Sequence, residues 1–318
     1  MKLFYELIII GGGPAGMTAA IYACRRGIDT LLIGHIMGGQ TAWSADIENY
    51  LGFNMITGPE LTAKFFQHVK KFDDDNADFN LEVIDGGEVT KLTKQPNQFL
   101  VELKDGQHTL ALSVVITSGK NPRMLKIPGE DKLLGKGVTF CATCDAPLYR
   151  GKEVAVIGGG NSALDASLQL IKIAKFVHLV TINPKLEGEQ VMIDKVLASA
   201  KVKVYYHTET LSIAGDKVVN GMVVKNKQTG QQEKLVVQGV FEEIGSVPAV
   251  DFCKDLVKLN QYNEIKVDSH MRTNVPGIFA AGDVTPVPFK QIIVAAGEGC
   301  KAALEAHNYL ARLKTVKG

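Results

Sequence analysis

At 318 residues the chain has room for two domains of ordinary size. Apolar residues make up 46% and charged residues 22%, the mix of a packed globular protein. Thirty-five basic against 34 acidic residues leave a net charge of +1, which excludes a summed field that would hold nucleic acid or an anionic membrane. No apolar stretch near the N-terminus reaches the ~20 residues of a membrane helix before Gly11 interrupts it, and the opening Met1-Lys2-Leu3-Phe4-Tyr5-Glu6 lacks the apolar core of a signal peptide, so a cytoplasmic location is expected.

In chain order, the apolar run 7–10 reads as a buried strand, Gly11-Gly12-Gly13-Pro14-Ala15-Gly16 follows at once, and alanine-rich residues 17–24 read as a helix. Residues 59–72, entered through Gly58-Pro59, carry Leu61, Phe65, Phe66 and Val69 on one helical face. From 81 to 116 the pattern changes to short strand-like runs that read as a β-rich appendix to the first half. The opening grammar then returns: a strand over 153–157, Gly158-Gly159-Gly160-Asn161-Ser162-Ala163, and a helix over 164–174. A second β-rich series spans 202–240, and the strand ending Phe279-Ala280-Ala281-Gly282-Asp283 precedes an amphipathic helix over about 292–310. Two strand–glycine–helix openings about 150 residues apart predict an α/β fold with two nucleotide-binding layers, each a mostly parallel sheet flanked by helices.

A dinucleotide pyrophosphate binds backbone N–H groups at a helix N-terminus, and intervening side chains would block it. Gly11 then serves the tight turn, Gly13 the close approach and Gly16 the packing of helix on strand; Gly158, Gly160 and Ala163 take the same parts in the second copy. One GxGxxG is weak, since glycine-rich turns occur in any α/β protein. Two copies, each after a strand and before a helix, carry the assignment. The acid expected about 20 residues on, which would grip a ribose 2′-OH, is missing from both: the first run ends in Gly34-His35 and the second in Thr181-Ile182-Asn183-Pro184. With neither acid nor arginine cluster there, the choice between NADPH and NADH stays open.

Five cysteines, an odd and scattered set, do not make a secreted disulfide scaffold. Cys24, Cys253 and Cys300 each stand alone and read as buried, inert thiols. Cys141-Ala142-Thr143-Cys144 places two sulfurs at i and i+3, near enough at a helix start for a small-ring disulfide. Half a zinc site is the rival reading, but no second CxxC, HxxxH or Cys/His cluster supplies further ligands, so no metal is expected. Asp145 follows directly. A carboxylate beside two thiols opposes a second negative charge, and burial would raise its own pKa, so it can hold and deliver the proton of dithiol chemistry; its rival role is a helix cap.

Together, GGGPAG, Gly38-Gly39-Gln40, Cys141-Ala142-Thr143-Cys144-Asp145, GGGNSA and Gly282-Asp283-Val284 resemble the low-molecular-weight thioredoxin reductases and the reductase portion of alkyl hydroperoxide reductase F, over nearly the whole chain. The resemblance implies two Rossmann-like three-layer domains. An FAD-binding domain would occupy 1–116 and 248–318, and an NAD(P)-binding domain carrying the redox pair, 117–247, would be inserted into it. Thr117-Ser118-Gly119 and Gly245-Ser246-Val247-Pro248 would form the hinged crossings. It implies FAD on Gly11, Gly13, Pro14, Ala15, Gly16, Gly39, Gln40 and Asn49, with Gly282 and Asp283 at the ribitol chain and Lys290, Gln291 and Ile292 near the isoalloxazine ring. Gly158, Gly160, Asn161, Ser162 and Ala163 would take NADPH or NADH. Cys144 would face the flavin, and Cys141 would attack a thioredoxin or related redoxin, in a homodimer.

Two departures matter. The thioredoxin-reductase pattern HRRxxxR becomes residues 181–187, ending in Glu187 with no arginine at its three positions, and GGGDSA becomes GGGNSA, as in the alkyl hydroperoxide reductase group. The thioredoxin-like extension of that group has no counterpart in these residues, so the dithiol is expected to pass electrons to a separate protein. The leading expectation is thioredoxin-disulfide reduction fed by NAD(P)H. One alternative feeds the same flavin and disulfide from ferredoxin or a deazaflavin; another, from a different class, is a non-catalytic dinucleotide- or zinc-binding module.

Overall fold

A computed structural model describes residues 1–44, 46–73 and 80–316, apart from the side chains of Trp43, Asp46, Thr143, Cys144 and Val316. The first apolar run forms β1 (Phe4–Ile10), in which Leu7, Ile8, Ile9 and Ile10 are all buried, as in a parallel strand covered on both faces. Parallel partners flank it, β2 (Thr30–Gly34) and β8 (His108–Ile116), and β5 (Leu81–Asp85) extends the sheet beyond β2. Strand β8 serves two further neighbours. Its first half pairs antiparallel with β7 (Gln98–Leu103) of the hairpin formed with β6 (Val89–Gln95), and its second half pairs parallel with β19 (Ile278–Ala280). The expected β-rich appendix over 81–116 is therefore not separate. Val114, Val115 and Ile116 are fully buried and draw β8 into the centre of the main sheet, leaving only the β6–β7 hairpin outside the parallel core.

Helices α1 (Pro14–Cys24), α2 (Gly58–Lys70) and α7 (Ile292–Val316) cover one face, where Met17, Ala19, Ala20 and Ala23 meet Ala302, Ala303, Ala306 and Leu310. Small residues bring α1 and α7 close: a Cβ on Gly299 would overlap the Ala15 carbonyl. Helix α2 starts with a capping box in which Thr57 and Glu60 each accept the other's backbone N–H. The other face is closed by the β6–β7 hairpin with Val250, Cys253, Val257 and Ile265. A small hairpin, β3 (Asp46–Ile47) and β4 (Ile56–Thr57), packs Ile47 and Ile56 on Leu61.

A second sheet orders β10 (Val138–Thr139), β17 (Gly239–Glu242), β11 (Glu153–Ile157), β12 (Phe176–Val180) and β13 (Val202–Tyr205), all parallel. Helices α4 (Ala142–Asp145), α5 (Asn161–Ile171) and α6 (Gln190–Leu197) lie on one face. The antiparallel strands β14 (Thr208–Gly215), β15 (Val219–Asn226) and β16 (Gln232–Leu235), with α3 (Glu130–Leu133), lie on the other. Between the two sheets the chain passes out through β9 (Lys120–Pro122) and returns through β18 (Ser246–Pro248); the two passages are antiparallel partners, with Val247 opposite Asn121. Among the described residues no helix is long and apolar enough to cross a membrane.

Candidate functional site

Each glycine loop stands where a parallel strand gives way to a helix. Gly13 is the N-cap of α1 and Gly160 that of α5; neither cap is closed by a side chain and neither first turn holds an acid, in contrast to α2. Helix-start N–H groups are thereby left for an anion. Gly11, at φ +124°, lies against the Thr117 carbonyl, which a Cβ would overlap, and the Thr117 hydroxyl donates to the carbonyls of Ile10 and Gly11, both at 3.0 Å. A Cβ on Gly16 would overlap the Gly11 carbonyl, so Gly16 is where helix packs on strand. Around Gly13 nothing lies within 4 Å of where a Cβ would stand. In the second loop Gly158, at φ +144°, packs under the Glu243 carbonyl, and the Ala163 methyl would sit 2.9 Å from its Cβ.

A cavity of about 780 Å³ opens beside the first loop, within the range of small-molecule and cofactor sites. Gly11, Gly13, Pro14, Ala15, Gly39, Gln40, Asn49, Gly282, Asp283, Lys290, Gln291 and Ile292 line it, and Cys141 and Asp145 line it too. Gly16 is absent from the lining, as its packing position requires, and the second loop (Gly158, Gly160, Asn161, Ser162 and Ala163) lies outside it.

The cavity wall is charged. Lys120 Nζ and Lys290 Nζ donate to the same Glu264 oxygen, at 2.7 and 3.3 Å, and Lys290 also donates to the carbonyls of Thr285 (2.5 Å) and Asp283 (3.3 Å). Burial, with Lys120 beside it, holds the Lys290 ammonium below its ordinary value, while burial raises Asp283 against the pull of Lys290 and Lys120. Glu298 accepts the Gly282 N–H at 2.8 Å and so fixes the turn that carries Asp283. Asn49 donates to Gln291 at 3.2 Å, and the Gln40 amide donates to the Lys120 carbonyl. No sequence motif singles out Lys120, Glu264 or Glu298. Lys120 directly follows Thr117-Ser118-Gly119, a usable signal; Glu264 reaches Lys120 from 144 residues away and leaves none.

At the far wall, Cys141 is disulfide-bonded, whereas Cys24, Cys253 and Cys300 are free. Cys144 belongs to α4, but its side chain lies outside the described part of the structure. Thr139, on β10, ties the region together: its hydroxyl donates to Asp145 and accepts the Cys141 N–H at 3.2 Å. Asp145 is 5% exposed, and the Tyr149 hydroxyl is pushed up to about 12 by burial and then by Asp145. Among the described residues no three metal-ligating side chains cluster.

Residues 5–299 match the family model for pyridine nucleotide-disulphide oxidoreductases. The chain belongs to this family. Among its relatives, alkyl hydroperoxide reductase F of Escherichia coli is 39% identical over 316 residues, covering 98% of this chain and 59% of that protein. A protein named NADH dehydrogenase in Bacillus subtilis is 37% identical over 308 residues, covering 97% of this chain and again 59% of its own length. The chain thus spans about 59% of the length of the relatives it matches. A solved thioredoxin reductase from Streptococcus pyogenes, 35% identical, matches with a TM-score of 0.87 over 98% of this chain and 100% of that one. This pyridine nucleotide-disulphide oxidoreductase therefore has the fold of a thioredoxin reductase, and its family implies FAD and a pyridine nucleotide. The residues fit FAD: an uncapped helix start, a cradle at Gly13 that a side chain would fill, and a wall in which two ammonium groups share the Glu264 carboxylate all favour a large anionic ligand.

Proposed function

We propose that this protein is a thioredoxin-disulfide reductase, taking electrons from NADPH or NADH and passing them through a Cys141–Cys144 dithiol to a thioredoxin or related redoxin. The observation that carries the reading is that one cavity joins the first glycine loop, Asp283 and Lys290 to Cys141 and Asp145. FAD, when bound, supplies the two-electron carrier between a nicotinamide and a disulfide. Gly11, Gly13, Pro14 and Ala15 would hold its pyrophosphate against α1, Gly39, Gln40 and Asn49 the neighbouring groups, Asp283 its ribitol chain, and Lys290, Gln291 and Ile292 its ring. The second loop would hold the nicotinamide nucleotide on α5. In this arrangement residues 1–116 and 248–318 form the FAD domain and 117–247 the inserted nucleotide domain.

In the exchange step the Cys141 thiolate attacks one sulfur of the redoxin disulfide, and the other redoxin sulfur leaves as a thiolate and takes a proton. The Cys144 thiolate then attacks Cys141 in the mixed disulfide, releasing the second redoxin thiolate, so that two electrons pass to the redoxin as the Cys141–Cys144 bond forms. Asp145, oriented by Thr139, stands beside Cys141 to hold and return the proton. Anaerobic titration with thioredoxin as acceptor tests the scheme. Cys141→Ser and Cys144→Ser are each expected to abolish thioredoxin reduction while the flavin still bleaches with nucleotide; retained thioredoxin reduction in either variant sinks it.

A second reading has its own observation. Thr181, at the tip of β12, is neither acid nor arginine, which fits an electron donor other than a pyridine nucleotide, such as ferredoxin or a deazaflavin. A flavin indifferent to both NADPH and NADH would favour it.

A further inference from the structure

A ribose-gripping acid ordinarily stands at the tip of the second strand of a dinucleotide fold. Here that tip carries none, but the fold brings a carboxylate to the same loop from further along the chain. After β12 the chain turns and folds back over the second glycine loop. The Glu187 N–H donates to the Gly159 carbonyl at 2.7 Å, Glu187 and Gly160 form an isolated parallel bridge, and the Glu189 N–H donates to Asn161 Oδ1 at 2.8 Å. These bonds pin the Glu187 backbone across the loop.

Its side chain is oriented as well. Asn183 Nδ2 donates to Glu187 Oε2 at 3.1 Å, and Asn183 is itself anchored, its N–H donating to Thr181 Oγ1 at 3.2 Å and its carbonyl accepting the His207 N–H at 3.1 Å. Thr181 is 3% exposed and stands so near Gly159 that a Cβ there would lie 2.5 Å from its hydroxyl. Asn183 and Glu187 thus form a fixed polar pair beside the backbone that the adenosine end of a nucleotide must approach.

We propose that Glu187, positioned by Asn183, selects NADH over NADPH; the inference rests on reading this loop as the nicotinamide-nucleotide site. A ribose 2′-OH donates a hydrogen bond that a carboxylate accepts. A 2′-phosphate has no such proton to give and meets a like charge. Residues 181–190 offer it little relief, with Lys185 the single cation against Glu187 and Glu189.

Calorimetric titration of the FAD-loaded protein with ADP-ribose and 2′-phospho-ADP-ribose tests this without hydride transfer. Wild-type protein is expected to bind ADP-ribose at least roughly tenfold more tightly, the step that one lost charge-assisted contact commonly produces. Glu187→Gln keeps the shape and should bring the two ligands within about threefold, mainly by tightening the phosphorylated one, and Glu187→Arg should reverse the order. Asn183→Ala, leaving the charge in place but unaimed, should weaken ADP-ribose alone. Equal affinities in wild type, or an unchanged ratio in Glu187→Gln, overturn the role of Glu187 while leaving the loop a nucleotide site. No binding of either ligand, with the flavin unbleached by both NADH and NADPH, overturns the reading of the loop itself.

Discussion

Glu242 ends β17 on the side of the sheet that holds Val240 and Ile157, a position of hydrophobic core. It is 2% exposed, neither of its oxygens reaches a hydrogen-bond partner among the described residues, and burial with the adjacent Glu130 pushes its carboxyl up to about 9. Glu130 accepts the backbone N–H groups of Leu125, Lys126 and Ile127 at 2.7, 2.6 and 3.3 Å, which holds it in place beside Glu242. The folded state therefore binds a proton that the unfolded chain releases. Below about pH 4.5 Glu242 is neutral in both states and costs nothing; as pH rises from there toward 9 stability falls, by up to about 1.4 kcal/mol per unit from this group. Glu242→Gln should raise the urea midpoint at pH 8 and change it little at pH 4.5. A mutant gain of the same size at both values would show that the proton is not the cause. Sequence alone does not reveal this site, since Glu242-Glu243 follows Gly239-Val240-Phe241 like any polar strand end. Cys141 and Asp145 are legible because their chemistry is local, five residues from end to end; Glu187 is marked only as the place where the arginine pattern of residues 181–187 lacks its last member, and the fold-back that lays it across the glycine loop leaves no local signal.

The two strand–glycine–helix units show how far local grammar reaches. Strand, turn and helix lie within about 20 residues, so the glycine pattern already assigns separate parts to Gly11, Gly13 and Gly16; in the structure Gly11 has a positive φ, Gly16 packs on the Gly11 carbonyl and the space beside Gly13 is open. It makes two glycines on one turn behave differently. Gly13→Ala meets open space at φ −76°, and the apoprotein should melt within about 1 °C of wild type while FAD retention, read from the ratio of flavin to protein absorbance, falls at least tenfold. Gly16→Ala drives a methyl into the Gly11 carbonyl and should lower both melting temperature and retention, by about 1–3 kcal/mol of stability. Equal melting temperatures for the two variants would contradict the packing role of Gly16. Longer-range grammar is less legible. Residues 81–116 look like a self-contained β unit because alternation marks strands without naming their partners, and only the burial of Val114, Val115 and Ile116 ties β8 to β1.

Across the whole molecule the cavity draws on both sheets, and its charge balance is set by residues distant in sequence. Lys120→Met removes one of the two cations on Glu264 but leaves Lys290 as a partner, so no orphaned carboxylate results. The change should cost the fold about 1–3 kcal/mol, the worth of one hydrogen bond between charged groups, while weakening FAD binding at least threefold, read by flavin release on dilution. Unaltered FAD affinity would show that this wall does not attract the cofactor. Lys120 is also the first residue of β9, the outgoing ply of the two-stranded ribbon on which the molecule's halves meet, and its carbonyl is grasped by Gln40. Twisting one half against the other must wind that ribbon, and the strain arrives at Gln40 as a displaced acceptor. Lys120 thus belongs to the cavity wall and to the ribbon at once, so any turn of the ribbon would carry a lining residue with it, and an occupant that favoured one angle would be favoured by that angle by the same factor.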